Sequence, residues 1–218
     1  MVWSAKLAYA IGLITTDGSL SIDGRHINLT SKDIDQIRTF AKILGLKNKI
    51  GLKYSSYKKD KEYYQIQFGN VKFYRFLMKI GLTPHKTKTI GSVAIPKPYF
   101  ADFLRGHLDG DGCTYSYWDK RWKSSFMFYT TFVSASLVHL EWVKSRIKDL
   151  YNIEGKIKFS GKSTYQLVYA KNASIKLIGI MYNKNGIPYL KRKHSKIMRA
   201  LGIINKQAGM EKLVNSQP

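Results

Sequence analysis

Cysteine is almost absent from this 218-residue chain. Cys113 is the single one, so no disulfide can close within the chain and no zinc site can be built from paired cysteines. A reducing, intracellular setting, cytoplasm or organelle matrix, is expected. Long apolar runs are missing too. No stretch reaches the ~18 residues of a membrane span, and Met1–Lys6 lacks the basic-then-apolar pattern of a secretory signal. Proline is sparse, and three of the five, Pro84, Pro96 and Pro98, fall in Thr83–Pro98, a natural junction between two halves. Acidic residues are few: 14 Asp and Glu against 37 Lys and Arg leave a net charge of +23. Such an excess repels itself in a compact state and implies a polyanionic partner, nucleic acid first. A membrane surface fits less well, because the charges do not gather in one basic amphipathic helix.

What the chain does contain is one motif twice. Leu104–Gly112 reads LRGHLDGDG and Ala10–Gly18 reads AIGLITTDG. Aligned end to end, Gly12 matches Gly106, Asp17 matches Asp111 and Gly18 matches Gly112, at an offset of 94 residues. Ala8, Gly12 and Thr16 lie four apart on one helical face, as do Gly106 and Gly110, so two backbones can approach closely there. The terminal Asp-Gly reads as a helix end, with glycine in the left-handed conformation. If the two helices pack side by side, Asp17 and Asp111 emerge together, and paired carboxylates can hold a divalent metal for phosphoryl chemistry. A calcium-loop reading of Asp109–Gly112 fails, since Lys120 stands where the twelfth-position Glu is needed.

The pair resembles the LAGLIDADG homing endonucleases in the form with two motifs on one chain, over roughly residues 5–200. The second copy matches closely. The first has Thr15 where the family often has an acid. The resemblance implies an α+β fold of two pseudo-symmetric halves (αββαββα), with motif helices at the interface and antiparallel sheets forming a DNA-binding saddle. It implies a monomeric, site-specific double-strand endonuclease using Mg²⁺ (Ca²⁺ or Mn²⁺ as substitutes), cutting a long asymmetric target across the minor groove to leave short 3′ overhangs. Motif position eight, the metal-binding acid, falls on Asp17 and Asp111. The halves are expected at residues 1–95 and 96–204, with a flexible tail at 205–218. A free-standing or intron-encoded enzyme fits better than an intein insert. An RNA-binding intron maturase and a catalytically inactive DNA-binding regulator of the same fold are the alternatives.

Periodicity supplies the elements. Ala5–Thr15 reads as a helix, and Leu20–Ile22 and His26–Leu29 as strands around Asp23-Gly24-Arg25. Ser31 reads as the cap of a helix bearing Ile34, Ile37, Ala41 and Leu44 and stopped by Gly45. Ile50–Tyr57 and Tyr63–Phe68 read as strands around Lys58–Lys61, and Val71–Ile80 as a helix. The order then repeats: a helix at Tyr99–Gly110, a longer hairpin at Thr114–Val133, a helix capped by Ser136, strands at Lys156–Phe159 and Thr164–Ala170, and a helix at Ser174–Met181. Leu190–Leu201 forms a basic terminal helix. Tyr64-Gln65-Ile66 echoes Tyr165-Gln166-Leu167, and His85–Lys88 echoes Lys191–Lys193.

A basic residue near the scissile phosphate is usual in the family. Lys171, between a strand and the last helix of its half, is the first candidate, with Lys53 and Lys158 behind it. Gln65 and Gln166 are candidates for ordering water. Candidate DNA readers are Arg25, His26, Asn28, Lys53, Tyr57, Gln65, Gln67, Tyr115, Tyr117, Arg121, Lys123, Lys158 and Gln166. Strand alternation should send about half of them to the DNA face. Asp109 and His107 are expected to serve packing and local hydrogen bonds. Matching Ser31 to Ser134 raises the offset to 103, so the second half gains nine residues within its first hairpin.

Overall fold

Two helices made for close contact run through the centre of the protein. The computed structural model describes residues 1–54, 62–161 and 163–214. Helix α1 (Ala5–Asp17) is buried along most of its length, from Leu7 to Thr15. Helix α4 (Phe100–Asp109) follows a short 3₁₀ turn at Lys97–Tyr99 and is buried from Asp102 to Asp109. They meet backbone to backbone. A Cβ on Gly12 would stand 2.7 Å from the His107 nitrogen, and one on Gly106 would stand 2.9 Å from the Tyr9 carbonyl carbon and 3.1 Å from the Gly12 Cα. No larger residue fits at either point.

Each half builds the same four-stranded antiparallel sheet. In the first, β1 (Gly18–Leu20), β2 (His26–Ser31), β3 (Gly51–Tyr54) and β4 (Glu62–Gly69) are ordered β1-β2-β4-β3. In the second, β5 (Cys113–Trp118), β6 (Phe126–Ser134), β7 (Lys156–Phe159) and β8 (Tyr165–Tyr169) are ordered β5-β6-β8-β7. Helices α2 (Ile34–Leu44), α3 (Val71–Lys79), α5 (Leu137–Tyr151) and α6 (Lys171–Met181) complete two αββαββα units, and α7 (Lys191–Val214) closes the chain. Thr30 pairs with Gln65 and Val133 with Gln166, so the two sheets repeat in register as the sequence echo implies. The inward strand positions, among them Ile27, Leu29, Ile66 and Phe68 in one sheet and Phe128, Phe132 and Leu167 in the other, join the helices in one core.

Four expectations change. The Asp-Gly ends do not need left-handed glycine, for Gly18 is extended at φ −90° and ψ 156°. Its demand is space: a Cβ on Gly18 would lie 2.6 Å from the Ile14 Cα, and one on Gly112 would lie 2.7 Å from the Leu108 Cα. The chain folds back over its own last turn at both places. Ser31 is not the cap of α2. Asp33 takes that position, while Ser31 closes β2 and its Oγ accepts from the Asp33 N–H. Of the tail expected at 205–218, residues 205–214 continue α7 as helix and 215–218 lie outside the described residues. Asp17 and Asp111 differ in setting, since Asp17 is the last residue of α1 whereas Asp111 lies two residues beyond α4. Tyr57 and the turn expected at Lys58–Lys61 lie outside the described residues.

One charged pair is fully enclosed. Arg105 donates to Asp102, to the Met181 carbonyl and to the Pro188 carbonyl, so its guanidinium is satisfied inside the protein and ties α4 to the end of α6.

The glycine contact should be the least forgiving feature of the fold. Gly106→Ala is expected to cost on the order of 3 kcal/mol or more, because backbone must move. Gly179→Ala, on an open face of α6 with nothing within 4 Å of its Cβ position, should be neutral or stabilise by up to about 1 kcal/mol. Urea unfolding of the two variants beside the wild type measures the contrast.

Candidate active site

The close approach of α1 and α4 brings their C-terminal ends together. A Cβ on Gly110 would lie 2.7 Å from the Thr16 Cβ and 3.2 Å from Asp17 Oδ2, so the ends touch where the acids emerge. Asp17 is half-buried, and its carboxyl is raised to about 7, by loss of water first and by the charge of Asp111 second. Lys193, a hydrogen bond from Gln36 and Lys86 oppose that rise. Asp111 opens to solvent on one side, yet the protein packed around it still raises its carboxyl against the pull of Lys193 and Lys86. Two acids held this way share charge that neither can shed to water.

Two lysines stand behind them, Lys86 buried and Lys193 half-buried. Lys86, on the linker between the halves, donates to the Gly18 carbonyl just past α1 at 2.5 Å. Burial lowers its ammonium to about 8, and Asp111 and Asp17 resist that fall. Lys193, in the first turn of α7, donates to the carbonyls of Leu108, Asp109, Gly110 and Gly112 at the end of α4. Gly18 and Gly112 are the matched motif ends, so the two lysines hold equivalent places. Lys171 opens α6, and the positive charges acting on the two acids come from Lys86 and Lys193. Sequence reasoning missed both, although the echo of His85–Lys88 in Lys191–Lys193 marked them.

A chain of contacts positions Asp17. Gln36 donates from Nε2 to Asp17 Oδ2 at 3.2 Å and accepts from Ser31 Oγ. Asp33, bonded to the same Ser31, pairs with Arg192 of α7 at 2.8 Å. Asp109 turns inward, where it accepts from the Tyr9 hydroxyl and the Leu190 N–H. Its partners are long-range rather than local.

The linker that carries Lys86 is anchored from α5. Ser136 Oγ donates to the Ile90 carbonyl and His139 Nδ1 to the Gly91 carbonyl. With its proton on Nδ1, His139 must accept at Nε2, so His107 donates from its own Nε2 across 3.1 Å. Both rings are therefore neutral. Burial holds the His139 imidazole down to about 4 and His107 well below its ordinary value.

The strand candidates among the described residues share one side of their sheets. Asn28 pairs with Gln67 and Lys53 with Tyr63, on the face opposite Ile27, Leu29, Ile66 and Phe68, and His26 and Gln65 follow the same alternation. In the second sheet Tyr115 pairs with Tyr129, Tyr117 with Met127, and Lys158 with Gln166, again opposite the core. None is turned inward, where about half were expected to be, because the polar positions are themselves the outward ones. Arg25 sits in the first hairpin turn. Arg121 and Lys123 lie with exposed Trp122 in the turn between β5 and β6. The Asp119 carboxylate accepts from the backbone N–H groups of Arg121 and Trp122, and Gln207 of α7 donates to the Ser124 carbonyl, which braces the turn.

Residues 4–81 match the family model of the LAGLIDADG-like domain. Over that stretch the chain is a LAGLIDADG-like domain. Solved structures share the fold along most of the chain's length. The homing endonuclease I-DmoI in complex with DNA and Mn is 17% identical, with 83% of this chain and 98% of that chain covered and a TM-score of 0.54. The I-LtrWI LAGLIDADG homing endonuclease bound to target DNA is 13% identical, covering 97% and 96% at 0.59. Full-length DUF199/WhiA from Thermatoga maritima is 16% identical, covering 99% and 68% at 0.58. These likenesses are of fold. No curated protein sequence matches. Among the described residues of this chain, no helix is long and apolar enough to cross a membrane, and no three His, Cys, Asp or Glu side chains cluster. The acids at the motif ends come as a pair.

The neutral histidine pair gives this LAGLIDADG fold an acid limit. Its folded-state pKa values are depressed, so its stabilisation is complete above the unfolded value of about 6.5 and is lost as pH falls through the folded values. His139 alone should cost roughly 3 kcal/mol of stability between pH 6.5 and 4. His139→Gln should flatten that part of the profile, read by urea unfolding across the pH range.

Proposed function

We propose that the protein is a site-specific endonuclease that makes a metal-dependent double-strand break in DNA. The observation that carries this is the convergence of Asp17 and Asp111 at the touching ends of α1 and α4, with Lys86 and Lys193 behind them. A purely structural role for two like charges would favour separating them or pairing each with its own cation. Here they crowd one another and Asp17 is raised to about 7.

The donor set fits Mg²⁺. Two hard carboxylate oxygens at a rim suit a cation that keeps several waters and completes its shell with substrate phosphates. The carbonyls of Gly18 and Gly112 already accept from lysine, so the carboxylates are the side chains to hold it. Bound there, the cation would neutralise the pair and stabilise charge developing on a phosphate oxygen. Gln36 fixes the orientation of Asp17. We assign the positive charge of the site to Lys86 and Lys193 and give Lys171, at the head of α6, a phosphate contact. The partner is double-stranded DNA lying across the outward sheet faces, where the Asn, Gln, Lys and Tyr positions present donors and acceptors to base edges and phosphates. Gln65 and Gln166 are placed on that face to bind water or bases. The net charge of +23 serves the same contact. A regulator of this fold that binds DNA without cutting is the second reading, favoured by the shared fold alone.

Incubating the protein and Mg²⁺ with a randomised plasmid library, and recovering linear products, separates the two. Asp17→Asn and Asp111→Asn should each slow double-strand cleavage by roughly 100-fold or more while retaining binding. Specific binding by the wild type with no linear product in any sequence would favour the regulator.

The nine extra residues of the second half lie in the β5–β6 hairpin, whose turn carries Lys120, Arg121, Trp122 and Lys123. Protection from a footprinting reagent should extend farther from the cut on the side of the C-terminal half. Shortening Ser116–Lys123 should pull that boundary in and leave the other unchanged.

A further inference from the structure

The two sheets repeat strand for strand, so their outward faces can be compared position by position. In the first sheet Ser19 pairs with Asn28 and Asn28 with Gln67. The equivalent row in the second is Cys113, Thr131 and Val168. Thr30 beside Gln65 becomes Val133 beside Gln166. His26 becomes Tyr129, and Ser21, whose N–H donates to the His26 carbonyl, becomes Tyr115.

The chemistry of the face changes between the halves. The first offers the amides of Asn28, Gln65 and Gln67, each with a donor and an acceptor to set against a base edge. In β5–β8 Gln166 is the only amide, and Lys156 and Lys158 supply charge rather than a paired donor and acceptor. Thr131 and Val168 are buried although they lie on the outward side. What remains open is aromatic. Tyr115 and Tyr117 are 40% and 46% exposed. Tyr129 stacks on both, with ring centroids 4.9 Å from Tyr115 and 6.2 Å from Tyr117 and planes within 13°. Rings held in this way form a rigid surface that loses little freedom on binding.

We infer, on the reading that DNA lies across the sheets, that the C-terminal half selects its half-site through the 5-methyl groups of thymine, contacted by Tyr115, Tyr117 and Tyr129, whereas the N-terminal half selects by hydrogen bonds. Thymine carries a methyl group into the major groove, and the other three bases do not. An aromatic surface recognises that methyl by burying it, with no donor or acceptor needed.

The test begins with duplexes selected for binding from a randomised pool without divalent metal, so that nothing is cut. An iron chelate on the new thiol of a Cys113→Ser, Lys123→Cys variant marks the half-site under the C-terminal half. That half-site should contain thymine on one strand or the other. Replacing its thymines with deoxyuridine removes only the methyl groups and should weaken binding about 4-fold for each methyl in contact. The same replacement in the other half-site should change binding by less than about 2-fold, since hydrogen-bonding edges are untouched. Tyr115→Phe with Tyr129→Phe keeps both rings and should keep the discrimination. Tyr115→Ala with Tyr129→Ala should bind the thymine and deoxyuridine duplexes equally, with urea unfolding run to show that the variant is folded. If it is not, Tyr117→Ala, at the exposed end of the stack, should reduce the discrimination. A C-terminal half-site without thymine, an equal loss or no loss from deoxyuridine in the two half-sites, or a loss of discrimination in the Phe variant would overturn the inference and leave the DNA-binding reading in place. A wild type that selects no duplex would remove that reading and this inference together.

Discussion

The contact between Gly12 and Gly106 is the constraint on which the rest depends. Two helices approach at their backbones only if neither carries a side chain at the crossing. With that spacing, their C-terminal ends touch and Asp17 and Asp111 share one small region. The acids crowd there against both dehydration and each other, and the Gln36 hydrogen bond and the charges of Lys86 and Lys193 offset only part of that cost. The glycine contact and the core around it supply the stability that the site consumes. Gly18 and Gly112 extend the logic, because each lets the chain turn back tightly over the last helical turn and start a strand beside the acid.

Fusing two halves into one chain removes the requirement that the two sides be identical. A symmetric dimer would have to give both acids the same surroundings. Here Asp17 has Gln36 where the second half has His139, and among the described residues Lys86 makes one bond where Lys193 makes four. Each departure serves a second purpose. His139 and His107 anchor the linker that delivers Lys86. Lys193 and Asp109 dock α7, whose Arg192 reaches back to Asp33 in the other half. The halves are thus joined at the site itself, and structural and chemical roles are divided between equivalent positions.

The outward sheet faces were the most legible part of the molecule. His26, Asn28, Gln65, Gln67, Tyr115, Tyr117, Lys158 and Gln166 were picked as polar or aromatic strand residues, and all of them face away from the core. The period of two fixes the face once the apolar partners Ile27, Leu29, Ile66 and Phe68 are recognised, and no long-range information is needed. The motif acids were legible for a similar reason, through equal spacing from paired glycines. Lys171 drew attention as the first basic residue after a strand, a local criterion. Lys86 and Lys193 are defined by acceptors 68 and 81–85 residues away, which no local pattern reveals. Ser31 and Asp33 compete as caps two residues apart, and the pairing of Ser31 with Gln36 decides between them.

The sequence by itself determined the two-fold repeat, the alternation that turns polar strand residues outward, the excess of positive charge and the pair of acids. These follow from spacing and composition, which act within a few residues or over the whole chain at once. Only the tertiary structure decided which lysines stand at the acids, how far α7 extends and why glycine follows each aspartate. Those depend on where one helix end lies against another. A helix end leaves its last carbonyls without partners, and what satisfies them is whatever distant segment the packing delivers. In this protein that segment is a linker lysine on one side and a terminal-helix lysine on the other, and the difference between them exists only once the chain has folded.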